Sequence, residues 1–253
     1  MDTLDTVLLA TAGFCGGILT ALAGGSGLIT FPALIATGLP PLIANASNNV
    51  ALTLSNLAAA LADRQSWPRF DRRIAALFAS AGIGSAAGVW LLLRTSARTF
   101  EVLVPALIIL ATAIFAAGPR LRLWAARSGA HRGLAASTIP VVGLLSVYGG
   151  YFGSGLGVML LAWFAVAETE DFRRANALKN LCGAAMNVVA FALLAMTPLI
   201  SWPETLTLLA SSVCGGFAGG RLARVLPPRA VRLVVIAIGT IMSLVFMRRY
   251  WLR

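Results

Sequence analysis

The sequence predicts an all-α polytopic membrane protein built from two inverted repeats, each a glycine-broken re-entrant helix hairpin followed by three transmembrane helices. Three observations predict this fold: an apolar composition, a polar pattern that occurs twice, and an uneven distribution of basic residues. The 253-residue chain is 58% hydrophobic and only 11% charged, whereas about a quarter of the residues in a soluble domain are charged. We therefore expect most of the apolar runs to lie in a bilayer.

Each half of the chain carries a stripe of asparagines in a long apolar segment. The stripes are 131 residues apart and consist of Asn45, Asn49 and Asn56 in the first half and of Asn176, Asn180 and Asn187 in the second. Steps of four and eleven residues return to nearly the same side of a helix. Because a buried amide needs partners, each stripe either hydrogen-bonds neighbouring helices or lines a binding site. The duplication favours a site where the halves meet.

Glycine clusters interrupt the first apolar run of each half. As one helix, residues 4–37 would extend about 50 Å, whereas the hydrocarbon core is about 30 Å thick. The predicted helices are 4–22 and 28–37 around the first break, and 133–148 and 158–167 around the second. Free N–H groups at the start of each second helix, and close approach to glycine, predict an anion site. Tight helix packing is the alternative explanation of the glycines.

Three more helices follow each broken hairpin. The first half continues with the asparagine helix at 42–62 and spans at 74–93 and 100–117, and the second with its asparagine helix and spans at 204–226 and 230–247. Residues 1–118 form the first predicted repeat and residues 133–253 the second, joined by a basic cytoplasmic linker at 119–132. Gly84-x-x-x-Gly88 and Gly216-x-x-x-Gly220 predict small-residue packing faces in equivalent spans.

The basic residues predict the orientation. If each broken unit crosses the membrane once, the 20 basic residues divide almost evenly between the two sides. If each unit instead returns to its own side, fifteen of them fall on one side, as the positive-inside tendency requires. This arrangement leaves three crossings in each half. Because three is odd, the halves have opposite orientations, as in many secondary transporters, and both termini lie outside the cytoplasm.

The breaks and stripes supply the candidate substrate-binding residues. These are Ser26, Gly27, Asn45, Asn48 and Asn49 from the first half and Ser154, Gly155, Asn176, Lys179 and Asn180 from the second. Lys179, the single lysine, either holds a substrate anion or snorkels to the membrane surface. No carboxylate lies inside a predicted span away from its ends, which favours an anionic over a cationic substrate. Asn56 and Asn187 lie further along their helices, where they are the candidates for tying the halves together.

The sequence gives no support to an enzymatic function. His131 stands alone in a basic loop, and no motif indicates catalytic residues, a metal site or a cofactor. The three isolated cysteines are interpreted as buried structural thiols. The net charge of +11 comes from short connections between apolar runs, so no nucleic acid is expected. The expected partners are a small anionic substrate and membrane lipid, and a homodimer is left open.

The order of these features resembles the TauE/SafE family of sulfite exporters and related sulfur-anion permeases, over both halves of the chain. The resemblance implies a multi-pass protein of the bacterial inner membrane that moves sulfite or an organosulfonate, by export, through alternating access. Two features depart from the family: Gly24-Gly25-Ser26-Gly27 replaces three consecutive glycines, and Asn45 and Asn49 stand where many relatives have Gly-Thr-Ser. The alternatives are a permease importing a different small anion, a non-transporting membrane subunit, and an anion-selective channel.

Overall fold

The described chain folds into helices. The computed structural model describes residues 1–22, 24–62, 64–127, 135–168, 171–222 and 228–250, and no strand occurs among them. The helices are α1 (Thr3–Leu22), α2 (Gly27–Ala36), α3 (Pro41–Ala51), α4 (Thr53–Ala62), α5 (Arg72–Arg94), α6 (Ala97–Arg127), α7 (Thr138–Tyr151), α8 (Leu156–Ala167), α9 (Phe172–Leu194), α10 (Trp202–Leu222) and α11 (Pro228–Tyr250). Short 3-10 turns occur at Arg64–Ser66 and Ala135–Ser137.

Helix lengths fit a multi-pass membrane protein. Within the described residues, four helices are long and apolar enough to cross a bilayer: Thr3–Ala21, Arg72–Arg94, Ala97–Ala117 and Arg173–Leu194. The apolar helices α2, α7 and α8 have 10–14 residues, and at 1.5 Å per residue they are too short to cross alone. Large apolar side chains are exposed on several helices, including Ile83 (72%) and Leu144 (72%), as expected of surfaces that face lipid.

The glycine breaks occur where the sequence predicts them. Gly24 and Gly25 have φ angles of 75° and 98°, and Gly153 and Gly155 have φ angles of 77° and 81°. These left-handed conformations favour glycine because it lacks a Cβ atom. Each break therefore ends one helix and redirects the chain into a short apolar helix, α2 or α8.

Three predictions of local structure need correction. The asparagine helix of the first half is interrupted at Leu52, next to Thr53, whose hydroxyl donates to the Asn49 carbonyl at 3.2 Å; such bonds often bend helices. Helix α6 continues to Arg127, through much of the predicted linker, because arginine, leucine and alanine are strong helix formers. His131 and the rest of 128–134 lie outside the described residues. Cys182 is buried, but Cys15 and Cys214 are exposed.

The two halves pack through reciprocal helix pairs. Helix α1 lies against α10, and α5 lies against α7. Both pairs are parallel, because contacting residues rise together along the two chains: on α1 and α10 these are Gly13 with Ser211, Gly17 with Gly215, and Ile18 with Gly219, and on α5 and α7 they are Ser80 with Gly143, Gly84 with Ser146, and Gly88 with Gly150. Each half thus packs its first helix against a later helix of the other half.

Glycines allow these pairs to approach closely. A Cβ atom on Gly84 or Gly88 would overlap the α7 backbone, which confirms the predicted packing face on α5. On α10 the glycines that meet α1 are Gly215 and Gly219, whereas Gly216 faces Ser55 with a Cβ separation of 3.5 Å. The predicted face on α10 was therefore wrong by one residue. The corrected glycines lie 131 residues after their α5 counterparts, the same offset as the asparagines.

The asparagine helices cross the centre of the molecule side by side. Helices α4 and α9 are antiparallel: the Thr53 hydroxyl donates to the Asn187 carbonyl at 3.3 Å, and Asn56 packs against Gly183. Around them lies an apolar core from both halves, where the Phe31 ring of α2 meets the Phe152 ring edge-on at 5.5 Å. This arrangement brings both stripes and both breaks to one place.

Candidate functional site

A small cavity of about 50 Å³ lies where the two glycine breaks meet the two asparagine helices. Its polar lining comes from both halves, and consists of Thr20, Ser26, Asn48, Asn49, Asn56, Lys179 and Asn187. The remaining lining residues are glycines of the breaks and helices, with Leu52, Leu156 and Leu160. The volume equals that of a few water molecules by the same measure, so the cavity holds a compact polar group.

The two breaks touch each other beside this cavity. A Cβ atom added to Gly157 would lie 2.7 Å from the Gly24 Cα atom, and one added to Gly27 would overlap the Ser154 side chain. Glycine is therefore needed at both contacts for steric reasons. The helices that follow, α2 and α8, begin at Ser26 and Gly155 without a side-chain cap. Uncapped helix N-termini carry free N–H groups and partial positive charge, which suits an anion.

The first asparagine stripe holds the end of the broken helix of the second half. The Asn45 Nδ2 atom donates to the Tyr151 carbonyl at 2.8 Å, and the Asn49 Nδ2 atom lies 3.5 Å from the Gly150 carbonyl. Both carbonyls lie in the last turn of α7, where the helix itself supplies no donor. These asparagines therefore stabilise the second break from the opposite half.

The second stripe does the same for the first break. The Asn176 Nδ2 atom lies 3.4 Å from the Ala21 carbonyl, and the Lys179 Nζ atom donates to the Thr20 carbonyl at 3.0 Å. Both carbonyls belong to the last turn of α1. Lys179 is 3% exposed, so its side chain lies within the protein and does not snorkel to the surface. Its position at a helix C-terminus is favourable for a cation.

Several buried polar atoms near the cavity have no hydrogen bond within the described residues. They are the Oδ1 atoms of Asn45, Asn176 and Asn180 and the Oγ atom of Ser154. In addition, the Thr30 hydroxyl donates to the Asn48 Oδ1 atom at 2.6 Å, which leaves the Asn48 amide N–H groups available. A buried polar group without a partner costs about 1–3 kcal/mol. Unused hydrogen-bonding capacity on this scale is typical of a site that receives a polar ligand or water.

The predicted site residues fall into two groups. Ser26, Gly27, Asn48, Asn49 and Lys179 line the cavity. The other five lie around it: Asn45 and Asn176 at the helix ends just described, Ser154 packed against Gly27, Gly155 at the start of α8 against Ala111, and Asn180 buried in α9.

Sequence reasoning left three polar lining residues out of the candidate site. Asn56 and Asn187 belong to the stripes, and their shared offset was a signal for including them. Thr20 contributes its backbone carbonyl to Lys179, and no sequence signal marks it. Lys179 carries the one charge among the described lining residues, so the site as a whole favours an anion.

Comparisons with known proteins agree with this architecture. The chain is 26% identical over 241 residues to a probable membrane transporter protein of Haemophilus influenzae, covering 93% of this chain and 92% of the relative. It is 25% identical over 231 residues to the probable membrane transporter protein YfcA of Escherichia coli, covering 90% and 84%. A Sinorhizobium protein named probable membrane transporter protein ORF9 is 24% identical over 233 residues, covering 91% and 88%.

No solved structure matches the chain at a significant level. The sequence profile of the family described as Sulfite exporter TauE/SafE matches residues 9–246. Because that match covers nearly the whole chain, the protein belongs to the TauE/SafE family.

Proposed function

We propose that the protein is a secondary transporter that moves a small sulfur-containing oxyanion across the bacterial inner membrane. Family membership and the names of the relatives support a membrane transporter in general terms. The observation that carries the finer proposal is the central cavity, which presents one ammonium group and several amides but no carboxylate among its described residues. Such a site attracts one negative charge and supplies hydrogen bonds to its oxygens.

The cavity volume favours sulfite over larger sulfonates. A volume of about 50 Å³ accommodates roughly the bulk of a few water molecules, which matches a pyramidal or tetrahedral oxyanion. An organosulfonate adds a carbon chain, so the cavity would have to widen to admit it. We therefore infer that sulfite is the preferred substrate and that organosulfonates bind more weakly.

Alternating access between inverted repeats is the proposed mechanism. The chain reverses at the first break, before α3 and before α5, so α1 and α5 run in opposite directions. Because α7 lies parallel to α5, α7 opposes its counterpart α1, as inverted repeats require. The parallel pair α1 and α10 gives the same support. A site at the interface of two such repeats is the usual arrangement in transporters of this kind.

Transport of sulfite by purified protein in liposomes tests the proposal. We expect saturable uptake that is accelerated by unlabelled sulfite on the opposite side, because a carrier returns faster when loaded. A channel would show neither saturation at low concentration nor this acceleration. Absence of flux for every sulfur oxyanion, from protein that binds one of them, would assign the protein to a non-transporting role.

The direction is proposed as export, from the family resemblance. Cells that overproduce the protein should retain less sulfite than cells carrying an empty vector when sulfite is generated inside. Higher retention would indicate import instead, and would leave the site assignment unchanged.

A further inference from the structure

A second, larger cavity lies outside the central site and has a different character. It measures about 640 Å³ and is formed by the connection before α5 in the first half and by the region around the start of α9 in the second. Its lining includes Trp67, Arg69, Asp71, Arg73, Glu168 and Arg174. A volume of this size is in the range of ligand-binding pockets, and the cavity is shared between the two halves of the chain.

Two of its charged groups neutralise each other. The Arg73 Nη1 and Nη2 atoms lie 2.8 Å and 2.6 Å from the two carboxylate oxygens of Glu168, a bidentate pair that joins the halves. The Asp71 carboxylate accepts the Ile74 N–H at 2.8 Å and caps α5. These carboxylates therefore have partners that fix their positions in the wall of the cavity.

Two arginines of the lining are much less engaged. Arg69 is exposed, and within the described residues it makes neither an ion pair nor a hydrogen bond. The Arg174 Nε atom lies 3.9 Å from the Asp171 carboxylate, with 73% of the arginine side chain exposed, so this contact contributes little. The cavity thus presents two guanidinium groups that are free to bind another anion, and guanidinium geometry matches phosphate.

Aromatic residues place this cavity at the level of the lipid headgroups. The Trp67 ring meets the Phe70 ring edge-on at 5.9 Å, and Phe70 in turn meets Phe78 of α5 at 6.1 Å. The Trp67 Nε1 atom donates to the Ala60 carbonyl at 2.8 Å, whereas Phe70 is 63% exposed. Tryptophan and other aromatic residues with one polar and one apolar side concentrate at membrane–water interfaces.

We propose that this cavity binds the phosphate of an anionic phospholipid, with Arg69 and Arg174 donating to its oxygens. Basic pockets between helices on the cytoplasmic side bind anionic headgroups, and the exposed Phe70 ring beside the pocket provides apolar surface for the acyl chains. Free phosphate shares the same chemistry, but it would gain nothing from that apolar surface. The assignment does not depend on the proposed transport activity, because it uses residues outside the central cavity.

Native mass spectrometry of the full-length protein from nanodiscs tests the proposal. The nanodiscs contain either phosphatidylcholine alone or phosphatidylcholine mixed with phosphatidylglycerol, and retained lipid is identified by mass. We expect the wild-type protein to retain phosphatidylglycerol, and the double variant Arg69→Gln/Arg174→Gln to lose affinity for it about thirtyfold, since each surface cation contributes about a factor of five. The control is Arg94→Gln/Arg98→Gln, which removes two exposed arginines between α5 and α6.

Each result has one meaning, provided that the variants unfold at the wild-type temperature in phosphatidylcholine nanodiscs. Equal losses in both double variants would show general electrostatic attraction and would overturn the site. If phosphatidylglycerol is not retained but inorganic phosphate stabilises the wild type, and not the Arg69→Gln/Arg174→Gln variant, the cavity binds a soluble anion and the lipid assignment is wrong. If neither lipid nor phosphate discriminates between the variants, the cavity has no phosphate site.

Discussion

Replacement of Lys179 by methionine separates ligand binding from stability at the central site. Methionine has a similar length but no charge, and the native ammonium is 3% exposed beside the Thr20 carbonyl. A hydrogen bond to a charged group contributes about 1.5–3 kcal/mol. We therefore expect sulfite affinity to fall about ten- to a hundredfold in Lys179→Met.

The same replacement should change stability very little. The Thr20 carbonyl loses a donor, which costs about 1 kcal/mol, but the buried cation and its desolvation penalty are removed at the same time. For a chain of this length, 1 kcal/mol corresponds to about 2–4 °C in the melting temperature. The expected signature is thus a melting temperature close to that of the wild type without sulfite, and a much smaller upward shift with sulfite.

The assay is thermal unfolding of detergent-purified protein over a series of sulfite concentrations, because binding to the native state raises its stability. Arg98→Gln is the control, since it removes an exposed charge far along the chain from the cavity lining. A Lys179→Met protein that folds and keeps the wild-type sulfite shift would refute the role of the ammonium. A large loss of stability without ligand would instead show that Lys179 serves mainly to hold the end of α1.

Three further predictions concern packing and helix ends, and all are read by thermal unfolding. Gly215→Ala should destabilise the protein strongly because its Cβ would overlap the α1 backbone, whereas Gly216→Ala should be tolerated; equal effects would contradict the corrected register. Asn45→Ala should cost about 1–3 kcal/mol by leaving a buried carbonyl of α7 without its donor. Gly157→Ala should abolish the sulfite shift by forcing the breaks apart, while Gly38→Ala, with φ of 88° and open space around it, should cost about 1 kcal/mol and keep the shift.

The fold was predictable where one residue type admits one conformation. The breaks were located from glycines alone, because the positive φ angles at Gly24 and Gly153 favour glycine. The packing face on α10 was not located correctly, because α10 has glycine doublets and two sets of glycines share the four-residue spacing. Only the neighbouring helix distinguishes them. The extension of α6 was missed for a similar reason, since hydropathy ends near residue 117 while helix propensity continues.

The candidate site was predictable in direction but not in depth. Helical periodicity indicates which side of α9 carries Asn176 and Lys179, and both side chains do face the first break. It does not indicate how far the partner helix reaches, and that distance decides which amide lines the cavity and which holds a helix end. Asn187 was set aside for this reason, although it lines the cavity.

The cavity is symmetric in its backbone and asymmetric in its charge, and this difference allows one more test. Asn48 occupies the position equivalent to Lys179, 131 residues earlier, and both residues line the cavity. If the halves are equivalent around the site, the double variant Asn48→Lys/Lys179→Asn places the ammonium on the other side of the same anion. We expect it to recover a large part of the sulfite affinity that Lys179→Asn alone loses, short of the full value because Thr30 hydrogen-bonds the native Asn48. A folded double variant that binds sulfite no better than Lys179→Asn would show that the two halves contribute unequally to the site.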